Sequence, residues 1–175
     1  MVARGLHVHD RAVEVAEAPT RLALNLAGVT VDGVRRGDVV TSDASASATK
    51  VVDVAFWPAA TDQRKRVAKL KNGTLASMYV GTARATAKAR PVVSKTAVEE
   101  GDGEMPGEVA PGAPVAPTFV RLRLTRPLVV FGGDRFVLRG AEIEGPSGAV
   151  LGGGVVLDAW APRTRPKEKR FRVLA

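Results

Sequence analysis

Apolar residues in this chain come in short, valine-rich segments that alternate with polar residues, the period of a half-buried strand rather than of a helix. In Arg121-Leu122-Arg123-Leu124 the arginines take one face and the leucines the other, because strand side chains point alternately to the two sides of a sheet. One face is expected to be core and the other wet. The same pattern predicts strands over residues 3–9, 21–26, 38–41, 51–57, 75–80, 84–93, 119–125, 135–139 and 150–158, each bounded by glycine, proline or a polar cluster. The fold class is therefore all-β, built as one or two small barrels. Residues 11–17 and 64–70 have room for a helical turn or two, and neither carries an apolar stripe.

A run of small polar residues at 42–49, Ser-Asp-Ala-Ser-Ala-Ser-Ala-Thr, reads as a linker. Residues 1–41 before it are too few to close a β-barrel alone and read as the last strands of a larger one. Residues 50–161 after it are expected to form a second barrel. Within that span, 98–117 carries Glu99, Glu100, Asp102, Glu104 and Glu108, no basic residue, and repeated Pro and Gly, the composition of a disordered surface loop. Residues 162–175 hold Arg163, Arg165, Lys167, Lys169, Arg170 and Arg172 against Glu168. Pro162 and Pro166 interrupt any long helix there, so the segment reads as a solvated basic tail.

Absences narrow the chemistry. The chain has no cysteine, which removes disulfides, thiol nucleophiles and thiolate metal sites, and its only imidazoles are His7 and His9. Two apart on a strand, these would share a face, but a metal needs a third ligand and Asp10 would point the other way, so no metal is expected. Gly152-Gly153-Gly154 is followed by valines where a phosphate loop needs Gly-Lys-Ser/Thr entering a helix; it reads as a strand against which other backbone packs closely. Asp134 and Asp158 sit where turn and capping roles are usual. No nucleophile, base and electrophile assemble, so the chain is not read as an enzyme. No stretch approaches the roughly 18 apolar residues of a membrane helix, and the first ten residues lack a signal peptide's apolar centre, so a cytoplasmic protein without a membrane partner is expected.

The net charge of +8 favours polyanionic partners. Between residues 61 and 91 stand Arg64, Lys65, Arg66, Lys69, Lys71, Arg84, Lys88 and Arg90 against Asp62 alone. The 64–71 run is either a solvated loop face or a phosphate-contacting surface. Arg84, Lys88 and Arg90 have even spacing, so they line one face of a strand and are placed to track a phosphate backbone.

Several segments together resemble a known family. Arg4-Gly-Leu-His-Val-His-Asp10, Arg21-Leu-Ala-Leu-Asn-Leu-Ala-Gly28 and Arg35-Arg-Gly-Asp-Val39 resemble the end of the second domain of the selenocysteine-specific elongation factors (SelB), within the elongation factor Tu superfamily. Leu70-Lys-Asn-Gly73, Gly81-Thr-Ala-Arg84, Arg126-Pro-Leu-Val129, Gly133-Asp-Arg-Phe-Val-Leu-Arg139 and Gly152-Gly-Gly-Val-Val-Leu-Asp158 resemble the third domain, in the same order. The resemblance implies a factor that brings aminoacyl-tRNA, here selenocysteyl-tRNA, to the ribosome. It implies a pocket for the aminoacylated 3′ end around His7, His9, Asp10 and Arg21, where an arginine suits an anionic selenolate. It implies tRNA-phosphate contacts at Arg64, Lys65, Arg66, Lys69, Lys71, Arg84, Arg126 and Arg139.

The departures matter as much. The family's GTPase domain would precede residue 1, so GTP and Mg²⁺ are expected to belong to that domain and no cofactor to these residues. The first strands of the second domain and the C-terminal winged-helix modules are likewise not among the matched segments. Tyr79-Val80 stands where family members often have histidines before Gly-Thr. The expected partners are tRNA, the GTPase domain of the same factor and the ribosome, with no DNA. The alternative is a protein-interaction barrel that docks on a GTPase domain or exchange factor and has little RNA affinity of its own.

Overall fold

Residues 1–61, 66–67, 70–92, 117–140, 149–164 and 168–174 are described by a computed structural model. Contacts divide the chain into two units, Met1–Arg36 and Gly37–Ala175. In the first, β1 (Val2–Val8), β2 (Arg11–Val13) and β3 (Ala23–Ala27) form an antiparallel sheet in the order β2-β1-β3, followed by a single 3-10 turn at Val31–Gly33. Val8 pairs with Arg11, leaving His9 and Asp10 as a two-residue loop with φ of 49° and 63°. Positive φ at both central residues is the type I′ turn, whose twist matches that of the strands it joins, and His and Asp are among the side chains that tolerate this backbone. This corrects the expectation that His9 continues the strand beside His7. It also turns residues 11–13 into a strand where a helical turn was expected. Val13, Leu6 and Leu24 make an apolar row across the sheet, yet no residue of this unit is buried.

The second unit contains β4 (Ala48–Pro58), a two-residue pair β5 (Ala60–Thr61) and β6 (Arg66–Val67), then β7 (Leu75–Val80), β8 (Ala83–Pro91), β9 (Thr118–Val129), β10 (Arg135–Gly140) and β11 (Val150–Asp158). The six longer strands close into an antiparallel barrel in the order β10-β11-β4-β9-β8-β7, with β7 pairing β10. Residues 38–41, expected as a strand, form none. The run at 42–49 is ordered by Asp43, whose carboxylate accepts the Ser45 N–H at 2.8 Å and the Ser45 hydroxyl at 2.7 Å. These bonds favour its ionised form and lower its pKa.

Alternation fills the barrel. Val52, Val54, Phe56, Met78, Leu122 and Leu138 point inward with Ala83, Ala85, Ala87 and Ala89 of β8. The alanines leave volume for the larger side chains, and β11 goes further. A β-carbon at Gly154 would lie 2.0 Å from the Ala55 carbonyl oxygen and 2.7 Å from the Phe136 ring, so glycine is what lets that ring fill the interior. Gly152 makes the same room for Phe56.

The face expected to be wet is dry at one arginine. Arg121 is 1% exposed, and its cross-strand partner is Asp53. Its Nε and Nη2 donate to the two Asp53 oxygens at 2.6 and 2.7 Å, while Nη1 donates to the carbonyls of Pro162 and Thr164. Beyond them, helix α1 (Glu168–Leu174) brings Arg170 to bridge Asp53 and Asp158, which sit opposite each other on β4 and β11. Phe171 is fully buried and stacks on Phe119 with ring centroids 5.4 Å apart. The closing segment is therefore packed on the outside of the barrel, not a solvated tail. An apolar ring and a carboxylate pair that needs cations outweigh the tendency of a basic run to stay in water. Asp158 also has the expected turn role, accepting the Trp160 N–H, as Asp134 does for Phe131. The expected acidic loop at 98–117 falls outside the described residues except at its last residue.

Candidate nucleic-acid interface

Because β8 buries its alanines, the strand must turn Arg84, Thr86, Lys88 and Arg90 to the outside. The Arg84 guanidinium lies 5.4 Å over the Tyr79 ring and donates to the Ser77 hydroxyl at 3.2 Å. Ser77 stands opposite Arg139 of β10. Arg126 reaches the same place by a different device. The register between β4 and β9 jumps from Thr49–Leu128 to Val51–Arg123, so residues 124–127 bulge around Pro127, which has no N–H to lend to a ladder. The bulge aims Arg126 across β8, where its Nε donates to the Arg84 carbonyl at 2.7 Å. That bond holds the guanidinium by one edge.

Lys71 is exposed in a turn tied to β8. The Gly73 N–H donates to the Ala89 carbonyl and the Ala89 N–H to the Thr74 carbonyl, each at 2.8 Å. Of the cations expected to meet phosphate, Lys71, Arg84, Arg126 and Arg139 are thus on neighbouring elements of one barrel wall. Arg64, Lys65 and Lys69 fall outside the described residues, and of Arg66 only its place in β6 is described. Sequence reasoning passed over Arg123, which lies opposite Lys88, is exposed, and donates to the Arg163 carbonyl at 3.0 Å. Its signal was present in the period-two spacing of residues 121–124, which did not show which arginine would be covered.

In the first unit His7 sits between Ala12 and Ala23 on the neighbouring strands, and Arg21 lies two residues before that pairing. Because β1 and β3 are antiparallel, His7, the His9–Asp10 turn and Arg21 share one end of the sheet, all exposed. Among the described residues no three His, Asp or Glu come together to hold a metal ion. A separate cavity of about 410 Å³ lies in the second unit between Gly37, Val39, Val80, Ala83 and Phe131; of the basic residues only Arg135 reaches its wall.

No protein-family profile matches the chain. The selenocysteine-specific elongation factor of Desulfomicrobium baculatum is 29% identical over 153 residues, spanning 87% of this chain and 21% of that protein. A crystal structure of a bacterial selenocysteine-specific elongation factor, EF-Sec, superposes with a TM-score of 0.63 at 24% identity, covering 97% of this chain and 22% of that one. SelB of Methanococcus maripaludis, in complex with the GTP analogue GppNHp, gives 0.66 at 18% identity, covering 92% and 34%. The chain thus spans about a fifth of the length of the curated relative it matches. These structures share the fold of this chain, a closed translation-factor β-barrel with strands before it. Over nearly all its length the chain is similar to a segment of the selenocysteine-specific elongation factors, the family its ordered motifs resemble.

Proposed function

We propose that this chain is the tRNA-gripping part of a cytoplasmic translation factor, delivering aminoacyl-tRNA, and specifically selenocysteyl-tRNA, to the ribosome. The observation that carries this is the joining of Arg126 to the Arg84 carbonyl on an exposed basic strand face. A guanidinium held by Nε presents its two Nη groups together, the fork that fits a phosphate. Contacts of this kind position RNA without reading its bases. In this reading the end of the sheet with His7, His9, Asp10 and Arg21 faces the aminoacylated 3′ end. Nucleotide chemistry belongs to parts of the factor outside these residues, and the chain itself binds without catalysing.

The test is a titration of selenocysteine tRNA, another elongator tRNA and duplex DNA of similar charge at several salt concentrations. Preference for tRNA, with a salt slope of several phosphates that drops in Arg126→Ala/Arg139→Ala, is the expected result. Equal weak binding to all three nucleic acids, unchanged in the double variant, removes the reading.

A second reading, a barrel that docks on a GTPase domain, draws on one outward row. Trp57, Gly153, Val137 and Tyr79 stand opposite one another on consecutive strands, with Trp57 40% and Val137 42% exposed around the bare glycine. Such a surface suits a protein partner better than phosphate. Trp57→Ala would then weaken binding of a separately supplied GTPase domain and leave RNA affinity unchanged. No helix among the described residues is long and apolar enough to cross a membrane.

A further inference from the structure

The cavity of about 410 Å³ lies at one end of the barrel, between the Gly81-Thr82 turn joining β7 to β8, the turn over residues 131–134, and the connector at Gly37–Val39. The connector is a fixed wall of it. Gly37 has φ of 98°, and a β-carbon there would lie 2.7 Å from the Ala83 Cα, so only glycine lets this backbone lie against the barrel. Val39, Val80, Ala83, Val129 and Phe131 make the lining largely apolar. Its charges do not satisfy one another. Asp134 is half-buried, and its Oδ2 accepts the Phe131 N–H at 2.8 Å; among the described residues Oδ1 accepts no hydrogen bond. Arg135 is exposed, follows Asp134 in the chain, and among the described residues makes no ion pair or side-chain hydrogen bond. Asp38 adds a second carboxylate on the connector side. On a chain with a net charge of +8, this is a place where carboxylates outnumber cations.

We infer that this cavity is a binding site for a free α-amino acid with an apolar side chain. Its ammonium donates to Asp134 Oδ1, its carboxylate accepts from the Arg135 guanidinium, and its side chain lies on Val39, Val129 and Phe131. The volume is that of a small-molecule site, and apolar walls with a few placed polar groups are the usual lining of one. A guanidinium matches a carboxylate with two parallel N–H bonds. A ligand carrying one charge would cover the other pole of the site and leave it unpaired, which costs binding energy. Phosphate is disfavoured by the two carboxylates in the wall, so the site is separate from the basic face of β8 and independent of the RNA-binding reading. Asp134 and Arg135 are consecutive residues, and a free amino acid brings its two charges equally close together. The end of a peptide chain carries only one of them.

The whole chain would be titrated with leucine and with phenylalanine, followed by calorimetry and by the backbone amide resonances of Gly37, Gly81, Thr82 and Gly133. N-acetylphenylalanine, which lacks the ammonium, and phenylalanine amide, which lacks the carboxylate, would be run beside them. Saturable binding that moves those amides is the expected result. Arg135→Gln and Asp134→Asn should each weaken it about tenfold or more, the loss of one hydrogen bond to a charged group. Asparagine keeps an oxygen for the Phe131 N–H, so Asp134→Asn preserves the turn, and an unchanged melting temperature checks both variants. The acetylated and amidated forms should bind as weakly to the parent as phenylalanine does to the variants. No saturation by either amino acid below about 10 mM overturns the inference. Equal affinity for the blocked forms, or undiminished binding in both variants, overturns the zwitterion and its two contacts. The tRNA salt slope should be the same in Arg135→Gln as in the parent; a lower slope would assign this guanidinium to phosphate and overturn the site, while leaving the RNA-binding reading in place.

Discussion

The two units are both antiparallel β-structure, and they differ in what they do with their edges. The barrel joins β7 to β10, leaves no free edge among its six strands, and buries Val52, Leu122 and Leu138 completely. The sheet of β1, β2 and β3 has open edges on β2 and β3, and its row of Val13, Leu6 and Leu24 is never buried. Similar alternation in the sequence therefore yields very different burial. What separates them is the number of strands that pair: burial of a sheet's apolar face needs a second layer or closure. The same difference divides the candidate contacts. Arg84, Lys88 and Arg126 stand on a wall backed by a packed core, whereas His7, His9 and Arg21 stand on an unbacked sheet.

The sharpest way to break this contrast is to attack the barrel's outer covering. Asp53→Ala leaves Arg121 buried without its carboxylate and is expected to cost about 3–5 kcal/mol of unfolding free energy by urea titration. A cost below about 1 kcal/mol would mean the charged layer is not part of the folded barrel. Gly154→Ala should cost about 3 kcal/mol, because its β-carbon meets both the Ala55 carbonyl and the Phe136 ring. Phe171→Ala is expected to cost about 2 kcal/mol, below a fully internal phenylalanine because the short helix that carries it can fray, and to speed amide exchange in α1 before the strands. In the first unit Leu6→Ala should cost under about 1 kcal/mol, since the side chain is only half-buried and little contact is lost.

The smallest effect concerns Asp43. Its pKa is lowered by the Ser45 bonds, so their contribution is present above the ordinary value of 3.8 and is lost as pH falls through the lower folded value. Asp43→Asn should flatten that acid limb, read from melting temperature against pH, and leave the melting temperature near neutrality slightly below the parent's, because the lost contribution is the one present there.

Much of the barrel was legible in the residues. The strands at Leu75–Val80 and Val150–Asp158 lie where alternation predicts them, and β8 presents Arg84, Lys88 and Arg90 on one face as their spacing requires. The glycine run at 152–154 is a crowded strand, as its valine neighbours imply. His9 was misplaced because a strand period has no means of announcing a two-residue turn that carries neither glycine nor asparagine. Its position depends on Val8 pairing with Arg11. The bulge that aims Arg126 was marked only by Pro127, and its consequence needed the register with β4.

Period-two alternation, the absence of cysteine and the density of Lys and Arg determined by themselves that the chain is a β-structure with an inward apolar face and an outward basic one, because those properties act over neighbouring residues. Only the tertiary structure decided which arginine is dry. Arg121 and Arg123 are two apart and alike in sequence, yet one is sealed against a carboxylate 68 residues away and the other remains at the surface. A charge is removed from water only where its partner and its covering arrive together, and both come from distant parts of the chain.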